Sequence, residues 1–266
     1  MMQTGLEVSG LSKSFGGICA VSSCSLSIAK GKIVMLIGPN GAGKTTMFDL
    51  ISGFLMPDAG EITINGDAVK GFAPHRVARL GISRTFQQTR LFRNLSIFEH
   101  IDICANSSNE GIYANAVSPK SVSRADAEKA IGRVGLKMPL ETNVSELSYG
   151  QRKLLSLAMA IAAPHDVLLL DEPVAGVNPV VREQIKNVLL ALKAQGDTIF
   201  VIEHDMAFVM DIADDVLFMA EGKIVAKGGP EKIRRNKAVL AAYLGGPETS
   251  GKRAQIRTHS QRAMVA

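Results

Sequence analysis

The sequence predicts an α/β protein: a mostly parallel sheet, an antiparallel β layer packed beside it, and a helical subdomain inserted into the core. Three observations carry that prediction. Short, nearly all-apolar runs recur with helical segments between them, the pattern of strands covered on both faces. The first 30 residues instead interleave polar and apolar positions, as half-exposed antiparallel strands do. Between about residues 89 and 162 helix-start signals dominate.

Taken in chain order, the first 30 residues and residues 61–65 belong to the antiparallel layer, where Asn65-Gly66 supplies a hairpin turn. Ile33–Ile37 is a strand buried on both faces, followed by a helical stretch over residues 45–52. Ser96-Ile-Phe-Glu99 and Ser123-Arg-Ala-Asp126 both have capping-box spacing, with an acid one turn inside the helix. The Ser-, Asn- and Gly-rich piece between them, residues 106–121, reads as a loop. An apolar helix follows over residues 153–163, and residues 167–170, 198–202 and 216–219 supply further buried strands. Asn178-Pro179 sets an N-cap and a first-turn proline, and Gly196 closes that helix.

Composition narrows the class. The 266 residues are 46% apolar and 21% charged, so wholesale disorder is excluded. No run approaches the roughly 18 apolar residues of a spanning helix, and residues 1–10 lack the basic-then-apolar pattern of a secretory leader. The expectation is a chain that neither spans a membrane nor is exported. Cys19, Cys24 and Cys104 are an odd set without CxxC spacing, which points to buried reduced thiols rather than disulfides or zinc. The net charge of +5 is mild and sits partly in residues 247–266, where Lys252, Arg253, Arg257 and Arg262 face only Glu248. That segment lacks periodicity and reads as a basic solvated tail, not a nucleic-acid arm.

Gly38-Pro-Asn-Gly-Ala-Gly43-Lys44-Thr45 matches the phosphate-loop pattern G-x-x-x-x-G-K-[ST] in full. It lies between a buried strand and a helix, as the chemistry requires. Glycines let backbone N–H groups turn inward around phosphate oxygens, and the helix N-terminus adds its positive end. Lys44 is then the neutraliser of the β/γ oxygens, and the Thr45 hydroxyl a Mg²⁺ ligand. The core is thus read as that of a P-loop NTPase. The run ending in Asp171-Glu172-Pro173 supplies acids at the carboxyl edge of the sheet, where ligands of parallel α/β folds sit. Asp171 is placed to hold the magnesium shell. Glu172, one residue on, faces elsewhere and is the candidate general base for an attacking water.

Leu147-Ser148-Tyr149-Gly150-Gln151-Arg152, at the start of an apolar helix and about 20 residues before Asp171, resembles the signature of ABC-transporter ATPases. The resemblance extends over roughly residues 6–246 and implies one ABC ATPase domain of residues 1–246, with a helical subdomain of about residues 89–162 inserted. It implies ATP and Mg²⁺ as ligands. It also implies Phe15 as the aromatic that stacks on adenine, Gln87 as a metal-sensing glutamine and His204 as the switch histidine beside the γ-phosphate. Asn40, Gly41 and Thr46 join Gly38, Gly43, Lys44 and Thr45 as nucleotide contacts. The resemblance further implies that Ser148, Gly150 and Gln151 contact a nucleotide held by the opposite subunit of a head-to-tail ATPase pair. Two positions depart from the general pattern: Tyr149 stands at the usual first glycine of the signature, and Asn178 at the usual D-loop aspartate.

Both departures fit one branch. Phe15-Gly-Gly, Arg84-Thr-Phe-Gln-Gln, Arg90-Leu-Phe, Ala175-Gly-Val-Asn-Pro179, Val201-Ile-Glu-His-Asp-Met206 and Val239-Leu-Ala-Ala-Tyr-Leu-Gly resemble the ATP-binding subunits of branched-chain amino acid importers. That branch implies two hydrophobic permease subunits and a second ATPase subunit, either a related chain or a second copy. It implies a solute-binding protein as an indirect partner, no nucleic acid, and a peripheral place on the cytoplasmic face of the inner (plasma) membrane. Urea and short-chain amide importers share much of this wording. Soluble ABC ATPases of DNA repair or translation are the alternative of another class, but those carry two ATPase units or a long coiled-coil insertion. The Lys44-to-Asp171 interval has room only for a small helical subdomain. A GTPase or small-molecule kinase is disfavoured by the signature and by the lack of an Asn-Lys-x-Asp motif.

Overall fold

The computed structural model describes residues 3–69, 73–86, 91–105 and 121–244, with Tyr243 and Leu244 described by their backbone alone. The expected tail of residues 247–266, Gln87, Arg90 and nearly all of the 106–121 loop lie outside the described residues.

Two sheets form the frame. The antiparallel sheet has the order β2-β1-β4-β5, built from β1 (Thr4–Phe15), β2 (Ile18–Ala29), β4 (Ala59–Ile64) and β5 (Asp67–Ala68). Asn65 and Gly66 both take positive φ (53° and 91°), the type I′ geometry whose twist matches a hairpin. The second sheet has the order β10-β9-β3-β8-β7-β6. Its inner strands β3 (Ile33–Ile37), β7 (Val167–Asp171) and β8 (Thr198–Ile202) are buried at every residue, and β9 (Asp215–Ala220) pairs parallel to β3. The fold class is as the sequence predicts. Two strands escape the sequence pattern. β6 (Ile82–Arg84) has only three residues, too few to show a period. β10 (Lys223–Gly228) alternates exposed and half-buried positions and pairs antiparallel to β9 at the edge, where Lys223 and Lys227 discourage further strand addition.

Each inner strand feeds two cores. Ile33, Met35, Ile37, Leu168, Leu170, Ile199 and Val201 pack with the helices on one face. Val34, Leu36, Val167, Leu169, Phe200 and Ile202 pack against the antiparallel sheet on the other. A fully buried aliphatic side chain contributes roughly 1.5–3 kcal/mol over an exposed one, so this alternation fixes the strand register.

Nine helices complete the described chain: α1 (Lys44–Ile51), α2 (Pro74–Arg79), α3 (Ile97–Ala105), α4 (Arg124–Arg133), α5 (Tyr149–Ala162), α6 (Pro179–Ala194), α7 (Met206–Ile212), α8 (Pro230–Arg234) and α9 (Lys237–Leu244). Of the two expected capping boxes, the one at Ser96 and Glu99 forms in full, while at Ser123 only the N-cap half forms, Asp126 accepting instead from the Ser123 hydroxyl. Ser96 N–H donates to Glu99 Oε2 at 2.7 Å, and Ser123 Oγ accepts from Asp126 N–H at 3.1 Å. Asn178 caps α6 by accepting from Val181 N–H at 2.9 Å, and Gly196 follows its end with φ 98°. The apolar helix starts earlier than its hydrophobicity suggests, because Ser148 and Gln151 form a full capping box and draw the signature into its first turn. One expectation is corrected: of the three free thiols only Cys24 is buried, and Cys19 is exposed on β2, a half-solvated strand.

Ser123→Ala removes the α4 cap at an exposed position. Urea unfolding is expected to show a loss of about 1 kcal/mol, with ATP hydrolysis unchanged.

Candidate functional site

Strands β3, β8 and β7 are neighbours and parallel, so their carboxyl ends open on one edge. The segment after β3 is the phosphate loop, the one after β8 carries His204, and β7 ends at Asp171. The topology therefore gathers the sequence-predicted residues Gly38–Thr46, Asp171, Glu172 and His204 along one crevice, as carboxyl-edge sites require.

The loop is shaped by packing as much as by its helix. A Cβ at Gly38 would stand 2.0 Å from Met219 O, and one at Gly43 would stand 2.2 Å from Ala20 O. Both residues have positive φ (153° and 101°), so only glycine fits. Gly222 N–H donates to Ala42 O at 3.0 Å, tying the loop to the β9–β10 turn. Asn40 and Gly41 are exposed at the rim. Lys44 opens α1 and is buried, and its Nζ donates to Gly38 O (2.8 Å) and Pro39 O (2.9 Å) of its own loop. Burial lowers its pKa, while Glu172 and Asp171 pull it back up. Thr45 is exposed and Thr46 half-buried in the first turn of α1. Phe15 ends β1 and is 45% exposed, an unusual place for a phenyl ring. The same hairpin brings Ala20 of β2 against Gly43.

Asp171 is buried, and burial raises its pKa against the pull of Arg84. Arg84 is a site residue that motif reading quoted but gave no task. From β6 its guanidinium stands 3.6 Å from Asp171 and 2.7 Å from Asp49 of α1, and it donates to Ser52 Oγ at 2.7 Å. The rings of Phe48, Phe54 and Phe86 lie 5.1–5.7 Å from its centre, within cation–π range. Only the acidic end of a buried strand and an arginine on the next strand hinted at this pairing. Glu172 takes φ +49°, a left-handed turn directly after the end of β7. Glu172 Oε1 lies 3.6 Å from His204 Nδ1. Hard oxygen donors, the Thr45 hydroxyl and the Asp171 carboxylate, are the set that suits a magnesium ion.

Ser148, Gly150 and Gln151 stand at the N-terminus of α5, and the neighbouring Tyr149 and Lys153 reach the segment after β7. Ser148 N–H donates to Gln151 Oε1 at 2.8 Å. A Cβ at Gly150 would press on Val181 Cγ2 at 3.0 Å, so this glycine also permits α5 to approach α6. Tyr149 donates its hydroxyl to Ala175 O at 3.2 Å and covers Gly176. The unusual tyrosine thus braces the signature against the segment leading out of Glu172. Lys153, one turn further along α5, donates to Glu172 O at 3.1 Å.

A buried lysine on a glycine loop, with acids at the end of a parallel strand, defines a P-loop nucleoside triphosphatase. The comparisons specify it. Residues 21–175 match the family described as ABC transporter, and residues 223–249 the family described as branched-chain amino acid ATP-binding cassette transporter. The high-affinity branched-chain amino acid transport ATP-binding protein LivG of Salmonella typhimurium is 37% identical, over 92% of this chain and 99% of that one. BraF of Pseudomonas aeruginosa, of the same description, is 36% identical over 90% and 97%. The crystal structure of a nucleotide-free ATP-binding cassette from an ABC transporter superposes with TM-score 0.79 at 30% identity, covering 91% of this chain and all of that one. This chain belongs to the ABC transporter ATP-binding family, in its branched-chain amino acid branch, and is an ATP-binding, ATP-hydrolysing subunit.

Removing Arg84 leaves a buried carboxylate without its guanidinium. Arg84→Met is expected to cost about 3–5 kcal/mol in denaturant unfolding, whereas an equal-sized change at exposed Arg133 should cost under about 0.5 kcal/mol.

Proposed function

We propose that this chain hydrolyses ATP to energise uptake of branched-chain amino acids through two hydrophobic permease subunits, working with a second ATPase subunit. The observation that carries it is the convergence of the Lys44 loop, Asp171, Glu172 and His204 on one sheet edge in a chain of this branch. Residues 1–246 are read as the ATPase domain with residues 89–162 as its helical subdomain. Relatives described as branched-chain amino acid transport ATP-binding proteins favour that solute over urea or short-chain amides. None of the helices among the described residues is long and apolar enough to cross a membrane. Attachment to the permeases at the cytoplasmic face then places the chain at the membrane, and a solute-binding protein delivers solute from the far side.

The chemistry follows from the side chains. Phe15 offers its exposed ring to the adenine. The loop residues Gly38, Asn40, Gly41 and Gly43 turn N–H groups toward the phosphates. Lys44 exchanges two neutral carbonyl partners for charged phosphate oxygens, a stronger hydrogen bond. Thr45, Asp171 and Gln87 would hold Mg²⁺, which, when bound, neutralises charge developing on the β- and γ-oxygens. Thr46 adds a hydroxyl at the helix N-terminus. Glu172 accepts the proton of the attacking water, and His204, 3.6 Å from it, orients that water and the γ-phosphate. Ser148, Gly150 and Gln151 complete the site of the opposite subunit. ATP thereby favours the closed pair, and its loss favours the open one; the difference in affinity is the work available to the permeases.

Glu172→Gln should retain ATP binding and lower hydrolysis about 10²–10⁴-fold, trapping an ATP-bound dimer visible by size-exclusion chromatography. Lys44→Ala should lose nucleotide binding first. Normal turnover by Glu172→Gln would remove the general-base role. In cells whose only copy carries Glu172→Gln, uptake of labelled leucine should be lost and that of urea kept. The reverse result would change the solute and leave the mechanism standing.

A further inference from the structure

Glu203 has no task in the reading above, yet it is fully buried (0% exposed) between the two catalytic segments. A buried carboxylate is costly unless its oxygens are satisfied. Glu203 Oε1 accepts from Val174 N–H at 3.1 Å, and Oε2 accepts from the N–H groups of His204 (3.1 Å) and Asp205 (3.4 Å). Val174 lies two residues past Glu172, while His204 and Asp205 open the segment after β8. One side chain therefore joins the backbone of the Glu172 segment to that of the His204 segment.

Both segments are held from their other sides as well. Glu172 N–H donates to Ile202 O at 3.0 Å, and its carbonyl accepts from Lys153 Nζ. Asp205 caps α7 by accepting from Phe208 N–H at 3.1 Å and pairs with Arg182 at 3.0 Å. With these anchors fixed, the Glu203 carboxylate sets how far apart the two segments stand, and so the 3.6 Å between Glu172 Oε1 and His204 Nδ1. An acid is the fitting residue, because it presents only acceptors to the donors it meets. A glutamine keeps one acceptor oxygen and turns an NH₂ group toward an N–H.

We propose that Glu203 is a positioning residue for hydrolysis, a backbone clamp that fixes the general base and the switch histidine relative to each other. The clamp itself is a feature of this chain's geometry; its catalytic consequence rests on the roles assigned above to Glu172 and His204.

The test uses the full chain, with Glu203→Gln and Glu203→Asp, each alone and combined with His204→Ala. Hydrogen exchange is measured without nucleotide, and kcat and KM are measured with Mg-ATP. Glu203→Gln is expected to speed amide exchange in residues 172–176 and 203–206 together, leaving the Lys44 loop as it was. It should lower kcat about ten- to a hundredfold, the range a misplaced catalytic group produces, with KM for ATP within about threefold. In the His204→Ala background the same change should cost clearly less than in the unmodified chain, because one of the two groups whose separation it fixes is gone. Glu203→Asp, which retains the charge and both acceptors, should recover part of kcat. If Glu203→Gln does not fold, Glu203→Asp is carried through the same cycle and must show the same non-additivity at smaller size.

Unchanged kcat in a folded Glu203→Gln, or an equal loss in both backgrounds, would overturn the positioning role. Unchanged exchange at residues 172–176 would overturn the clamp. If His204→Ala alone hydrolysed ATP normally, the role of His204 would fall and the catalytic consequence with it, while the exchange measurement would still judge the clamp.

Discussion

Five-residue apolar strands paired in parallel must be covered on both faces, because neither face can meet water without exposing a row of aliphatic side chains. In this protein the helices cover one face and the antiparallel sheet the other. Chemistry is thereby excluded from the middle of the sheet and confined to its ends. The order β3-β8-β7 then places three segments side by side at the carboxyl edge. Helix α1 begins there too, so its positive end faces the same crevice. The site is a consequence of how the core is closed.

Confinement brings charges into a poorly solvated place, and the site answers with pairing. Arg84 stands between Asp171 and Asp49, joining the strand that ends in the acids to the helix that begins at Lys44. Lys153 reaches the Glu172 carbonyl from the signature helix. Burial lowers the pKa of both Lys44 and Lys153 and raises that of both Asp171 and Glu203. In each lysine the nearby carboxylates oppose the effect of burial. Groups of opposite sign are close together here, which is why removal of a single partner is expected to cost more than a typical surface change.

The two departures from the general family pattern have local structural work. Tyr149 spans from the first turn of α5 to Ala175 and Gly176, a distance a glycine cannot bridge. Asn178 caps α6, as an aspartate would, so its replacement changes charge and keeps the cap. Gly150 has a role in packing α5 against Val181 besides any role toward nucleotide. The signature is therefore coupled within its own chain to the segment that begins at Glu172.

Local signals were enough for much of this protein. The apolar runs at Ile33–Ile37 and Thr198–Ile202, the Asn65-Gly66 turn, the serine caps and the Gly38–Thr45 loop each act through neighbours within a few residues, so their meaning can be read along the chain. The placement of Lys44, Asp171 and Glu172 at the carboxyl edge was legible for the same reason: residue type and strand-end position imply it. What tertiary structure decided is everything that depends on strand order. No local pattern says that β8 lies between β3 and β7, that Arg84 of a three-residue strand meets Asp171, or that Glu203 bonds Val174. A buried charge in a sequence carries no mark of its partner, because the partner is chosen by which strand lies next to it in the sheet and not by distance along the chain.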